Sequence, residues 1–239
     1  MNEELKLHIN KLQRRAIFSL TAILLTIISI GFGVLFLLVP SFVAILFFVI
    51  VAICIVYLIH SSRFSKKEAK ENVYKPVIFN ADNNLTFEKI VSVFEHLTNE
   101  ENQLSTSEDV RFFRLKKIFK LRTVIYRTND FNKKDFDNAK DSINNKANKE
   151  LEISQWVNGA KTHNMMRFNI IYTETLNDTL YKFISQNANH NLTRVEGIIN
   201  IAVVSNQIMI PPIYGECALL EISRYKNTIK FINRIILNN

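Results

Sequence analysis

Hydrophobic and polar positions divide the chain in two. From Ala16 to Ser62 no Asp, Glu, Lys or Arg occurs in 47 residues, whereas the rest of the chain carries all the formal charges. A spanning helix needs about 20 apolar residues to cross about 30 Å of hydrocarbon, and at about 1.5 Å per residue the run would reach about 70 Å. It is too long for one helix. Val39-Pro40-Ser41 supplies a break, because Pro lacks an N–H and disfavours helix at the preceding residue while Ser can cap a new one. The pattern predicts transmembrane helices over 16–38 and 41–59, a cytoplasmic amphiphilic segment over 1–15, a basic juxtamembrane linker over 60–75 and a cytoplasmic domain over 76–239. A signal peptide would share the basic start but has an apolar region of no more than about 15 residues.

Beyond the run the periods change. Val77-Ile78-Phe79 reads as a strand. Phe87, Ile90, Val91, Phe94 and Leu97 recur at helical spacing after Thr86. Residues 99–109 are polar and read as loop. Arg111 to Tyr126 reads as extended, split into a hairpin near Leu115 to Lys117, and Asn132 caps a long helix with a thin apolar stripe of Phe136, Ala139, Ile143, Ala147 and Leu151. Phe168 to Thr173 is a strand, Asn177 and Asp178 cap a helix, Val195 to Val204 and Gln207 to Ile210 form a hairpin across Ser205-Asn206, and Leu219 to Leu237 is a terminal helix. The expected fold is an N-terminal transmembrane α-hairpin followed by a soluble α/β or α+β domain with a mixed sheet.

Charge orients this layout. Lys6, Lys11, Arg14 and Arg15 precede the run, and Arg63, Lys66, Lys67 and Lys70 follow it. Basic residues near span ends are retained on the cytoplasmic side. Both termini are therefore expected inside, in a multi-pass protein of the cell membrane; abundant Asn, Lys and Ile suggest a bacterial inner membrane. Gly31 and Gly33 admit either close helix approach or ordinary membrane-helix packing. Cys54 and Cys217 suit no disulfide framework. The Asn-x-Thr triplets at Asn84, Asn177 and Asn191 carry no meaning in a cytoplasmic domain.

Candidate chemistry is sparse. Five glycines, none in a Walker, dinucleotide or Gly-x-Ser-x-Gly arrangement, remove the most recognisable nucleotide-binding and hydrolase classes. His8, His60, His96, His163 and His190 never stand at ligand spacing, so no metal and no cofactor is expected. Asp130, Asp135, Asp137 and Asp141 are interleaved with Lys133, Lys134, Lys140 and Lys146, as on a solvated helix face. Glu196, Glu216 and Glu221 flank the late hairpin, and Trp156 reads as a packing anchor.

The clearest cluster is basic. Arg111, Arg114, Lys116, Lys117, Lys120, Arg122 and Arg127 stand with no acidic residue between Val110 and Arg127, among Phe112, Phe113, Phe119 and Tyr126. The readings are a solvated sheet face, a lipid-binding patch and a nucleic-acid contact. A domain tethered near anionic headgroups favours lipid over nucleic acid, each basic residue gaining about 1 kcal/mol there.

The basic start, the two-span layout, Arg167 to Tyr172 (RFNIIY), Ile198 to Ala202 (IINIA) and the Ile-rich terminal helix ending at Asn239 resemble an uncharacterised bacterial family of two-helix membrane proteins with a C-terminal cytoplasmic domain. That resemblance implies no activity. The expectation is a membrane-anchored, non-enzymatic interaction or assembly module. Its partners would be an anionic phospholipid surface and a protein or a second copy. The alternative is a membrane-tethered hydrolase or nuclease of unfamiliar type using carboxylates among Asp130, Asp135, Asp137, Glu196, Glu216 and Glu221, with His163 or His190.

Overall fold

Apolar strings too short for helices, and buried on both sides, build the centre of a mixed seven-stranded sheet. The computed structural model describes residues 3–33, 41–71, 75–81, 84–115, 121–151, 166–186, 188–192, 197–215 and 217–233. The chain forms two compact units. One is Met1–Val73 with Tyr214–Ile222, the other Tyr74–Ile213 with Ser223–Asn239.

The first unit holds α1 (Glu3–Gly33) and α2 (Ser41–Glu71). The Phe18 ring meets the Tyr57 ring edge to face at 6.3 Å between centroids. Thr21 and Thr26 donate their hydroxyls to the carbonyls of Ile17 and Ala22, so these polar groups are satisfied within the helix. Both helices outrun the charge-free stretch: α1 includes Lys6 to Arg15, and α2 passes Ile59, where a span was expected to stop, and continues to Glu71. Lys, Glu and Ala are good helix formers, so entering charged sequence does not end the backbone pattern. Among the described residues no helix is long and apolar enough to cross a membrane. The side chains of 29–47 and the expected break at Pro40 lie outside those residues.

The second unit is an α/β domain. Its strands are β1 (Val77–Asn80), β2 (Gln103–Ser107), β3 (Val110–Leu115), β4 (Leu121–Arg127), β5 (Met166–Thr173), β6 (Gly197–Val204) and β7 (Gln207–Ile210), in the order β1-β7-β6-β5-β4-β3-β2. The centre, β4-β5-β6, is parallel and both wings are antiparallel. Parallel neighbours need crossovers. The helix α4 (Lys133–Glu150) joins β4 to β5; α5 (Asp178–Ile184) and α6 (Asn189–Leu192) join β5 to β6.

One sheet face carries α4 and α5, with Phe112, Val124, Ile143 and Ala147 in one cluster and Phe136, Ile171, Leu180 and Ala202 in the next. The expected thin stripe of α4 is thus its buried face. The other face carries α3 (Phe87–Leu97) and α7 (Leu219–Phe231): Phe94 packs on Phe113 and Phe231, and Phe231 on Phe168, at 5.2–5.8 Å between ring centroids. Thr86 caps α3, Asn132 caps α4 and Asn177 caps α5, each accepting a backbone N–H from the first turn.

The polar stretch 99–109 is not all loop. After a short 3-10 turn at Glu100–Asn102 it supplies β2, an edge strand. Leu104 is its one large apolar residue, so no alternation marked it.

Within α7, Tyr225 is fully buried and its hydroxyl donates to the Pro211 carbonyl at 2.8 Å. Burial pushes its phenol far above the ordinary range. A raised folded-state value means that the stability Tyr225 contributes is complete below about pH 10, the unfolded value, and is lost as pH rises beyond it. Tyr172 shifts the same way, through burial first and then through Glu174 and Glu88. Denaturant melts should move to lower midpoints between about pH 8 and about pH 11, and Tyr225→Phe should shrink that pH-dependent loss.

Candidate functional site

Strand register decides what the basic stretch becomes. Arg114 pairs with Arg122 across β3 and β4, and Arg122 pairs with Arg167 across β4 and β5. Partners in register point to the same side, and adjacent strands lie about 4.8 Å apart. Three half-buried guanidinium groups therefore stand in a row on the α4 face, next to the row of Phe112, Val124, Asn169 and Asn200. Like charges abreast repel. Arg114 offsets part of this by donating from Nη1 to the Leu151 carbonyl at 3.3 Å, at the negative end of the α4 dipole. Beside the row, Asn169 donates to the Asn200 side-chain oxygen at 2.8 Å.

The rest of the stretch goes elsewhere. Arg111 is on the opposite face and donates to the Ser107 carbonyl at 2.5 Å. Arg127 is on that face too, its Nε 2.6 Å from Asp109, its Nη1 3.0 Å from Glu88 and its guanidinium 4.6 Å above the Phe87 ring. The hydrogen bond to Asp109 is the main cause that raises its pKa. Lys116, Lys117 and Lys120 lie outside the described residues. Strand alternation thus distributes one sequence run over two faces, joining Arg114 and Arg122 to Arg167. Sequence reasoning missed Arg167 because a parallel register is set by distant segments. Its one local signal was a basic residue at the second position of a mostly apolar strand.

The described candidate carboxylates are each engaged locally. Asp130 accepts from the Asn177 amide at 2.6 Å and so holds the start of α5. Asp135 lies in the first turn of α4, and Asp137 is 2.6 Å from Lys140. Glu221 is buried, and its Oε2 accepts the Ala218 N–H at 2.9 Å. That bond is the acidic half of a capping box at the start of α7. Glu196, Glu216, Trp156 and His163 lie outside the described residues, as does the side chain of His190. Among the described residues no group of three or more His, Cys, Asp or Glu is placed to hold a metal ion.

Fold and site together define a mixed-sheet α/β domain with a cationic row on one face, carried on a chain that begins with a long helix. No protein family, curated protein or solved structure matches the chain.

Proposed function

We propose that this chain is a membrane-anchored, non-enzymatic module that presents its α/β domain at the cytoplasmic face of a bacterial inner membrane and there recruits or assembles a protein partner or further copies of itself. The observation that carries the reading is the outward-facing apolar surface of α1 and α2. Eight large apolar side chains between Ile17 and Ile28, and seven between Phe48 and Ile59, are at least 40% exposed. On α1 they point in most directions around the axis rather than along one stripe. A helix that is apolar all round belongs in a core or a bilayer, not in water. The continuity of the charge-free sequence through 29–47 supports two spans, 16–38 and 41–59.

The flanking Lys and Arg support an orientation with both termini inside. In that orientation the α/β domain is on the side of the anionic headgroups, to which a cationic surface is drawn within a Debye length. A hydrolase would need carboxylates facing one concave site; Asp130, Asp137 and Glu221 instead serve a loop tie, an ion pair and a helix cap. Two measurements test the proposal on the full chain. A C-terminal reporter that works only outside the cytoplasm should be inactive, and cross-linking in native membranes should give a reproducible adduct. A strongly active reporter would overturn the topology, and a chain that stays monomeric and unlinked cannot be an assembly module.

A further inference from the structure

The helical unit contains a cavity of about 510 Å³, within the range of about 300–1,000 Å³ typical of small-molecule sites. We propose that it binds one anionic phospholipid, with the phosphate against Arg15 and acyl chain along Leu20, Ile23 and Leu58. The inference rests on the membrane reading above and adds a defined ligand to it.

Three features carry it. Among the described residues that line the cavity, Arg15 is the one with a charge, Ser19 and Ser61 add hydroxyls, the remaining α1 and α2 positions are apolar, and Gly215 and Cys217 to Leu219 of the same unit close one side with small or apolar residues. The lining is also graded along the sequence. Arg15 is the last charged residue before the charge-free run and Ser61 stands two residues before Arg63, which ends it, whereas Leu20 and Ile23 lie deeper inside. Arg15 to Ile23 spans about 12 Å of helix, enough to lead from a headgroup into hydrocarbon. Finally, Leu20 and Ile23 are 49% and 45% exposed, so the apolar wall stays open on the side where an acyl chain would enter.

The chemistry fits a lipid phosphate. A guanidinium offers a planar pair of N–H donors to two phosphate oxygens, and serine hydroxyls can donate to the same group or to the ester carbonyls. Free inorganic phosphate would use the polar end and leave the apolar walls empty. A zwitterionic lipid would bring its own cation towards Arg15. The net-anionic diester with an attached chain matches both ends of the cavity.

The test uses the full chain in nanodiscs of phosphatidylcholine with a minority of phosphatidylglycerol, released into detergent and weighed by native mass spectrometry. One phosphatidylglycerol per chain should be retained in preference to phosphatidylcholine. Arg15→Gln should lower that retention about tenfold, the loss expected for one charge-assisted hydrogen-bonded contact. Arg14→Gln makes the same charge change at an exposed residue that does not line the cavity, and should leave retention unchanged. Ser61→Phe, which fills the space, should abolish it with Arg15 intact. Equal loss in the two arginine variants, or equal retention of the two lipids, would overturn the site. Alkaline carbonate washing separates the two failures: a chain that stays embedded but retains no lipid refutes this inference alone, whereas a chain washed free refutes the membrane reading on which it rests.

Discussion

Replacing Phe94 by alanine should destabilise the α/β domain by about 3–5 kcal/mol, the range for deleting a buried aromatic ring. Phe94 has no exposed surface; its ring stacks on Phe113 of β3 and packs against Phe231 of α7, which in turn meets Phe168 of β5. It therefore joins α3, the sheet and the last helix at one point. The ring stack adds roughly 0.5–1.5 kcal/mol beyond the apolar area removed from water. Little can move in to fill the space, since Phe113, Ile90 and Ile125 are themselves nearly inaccessible. Domains of this kind are stable by only about 5–15 kcal/mol, so the loss should appear as a large fall in denaturant midpoint with an unchanged slope. Phe94→Leu, which keeps most of the volume, should cost well under half as much. Equal midpoints for wild type and Phe94→Ala would mean that this four-ring junction contributes little to the fold.

Much of the domain was legible because its elements carry local punctuation. The helix α3 announced itself through Thr86 and five apolar residues at helical spacing, and the turn between β6 and β7 through Ser205-Asn206, where Ser205 takes a φ of 52°. The double-sided burial of β5 and β6 showed as nearly unbroken apolar strings, as expected for parallel strands covered by helices on both faces. What was not legible is long-range. Nothing local in Arg122 or Arg167 reveals that they are neighbours, because their pairing depends on α4 and its following connection returning the chain beside β4. The edge strand β2 was invisible for the opposite reason: with one apolar side chain it has no pattern to read, and its pairing with β3 creates it. The mixed sheet could be expected, but its parallel centre could not, since sequence periods report which side a residue faces and not which strand lies alongside.

The second large effect lies where β6 begins. Gly197 carries no side chain because none fits: a Cβ there would stand 2.9 Å from Arg224 Cδ and 3.0 Å from Met166 Sδ. The sulfur sits on a flexible chain and can yield. Arg224 cannot yield easily, since it is 3% exposed and its Nη1 donates to the Leu192 carbonyl at 2.6 Å. Moving it to admit a methyl group would strain a buried guanidinium or break that bond. Gly197→Ala should therefore cost about 1–3 kcal/mol, the usual penalty of overpacking. Arg224→Ala should cost about 2–5 kcal/mol, through the lost stem packing and the carbonyl left without this donor. The decisive measurement is the double variant. If the glycine is required because of the arginine, the alanine methyl occupies space that the truncated side chain has vacated, and the pair should be less destabilised than the two single losses added together by at least about 1 kcal/mol, as coupling between contacting residues produces. Strictly additive midpoints would show that Gly197 is required by its backbone or by Met166 rather than by the buried arginine.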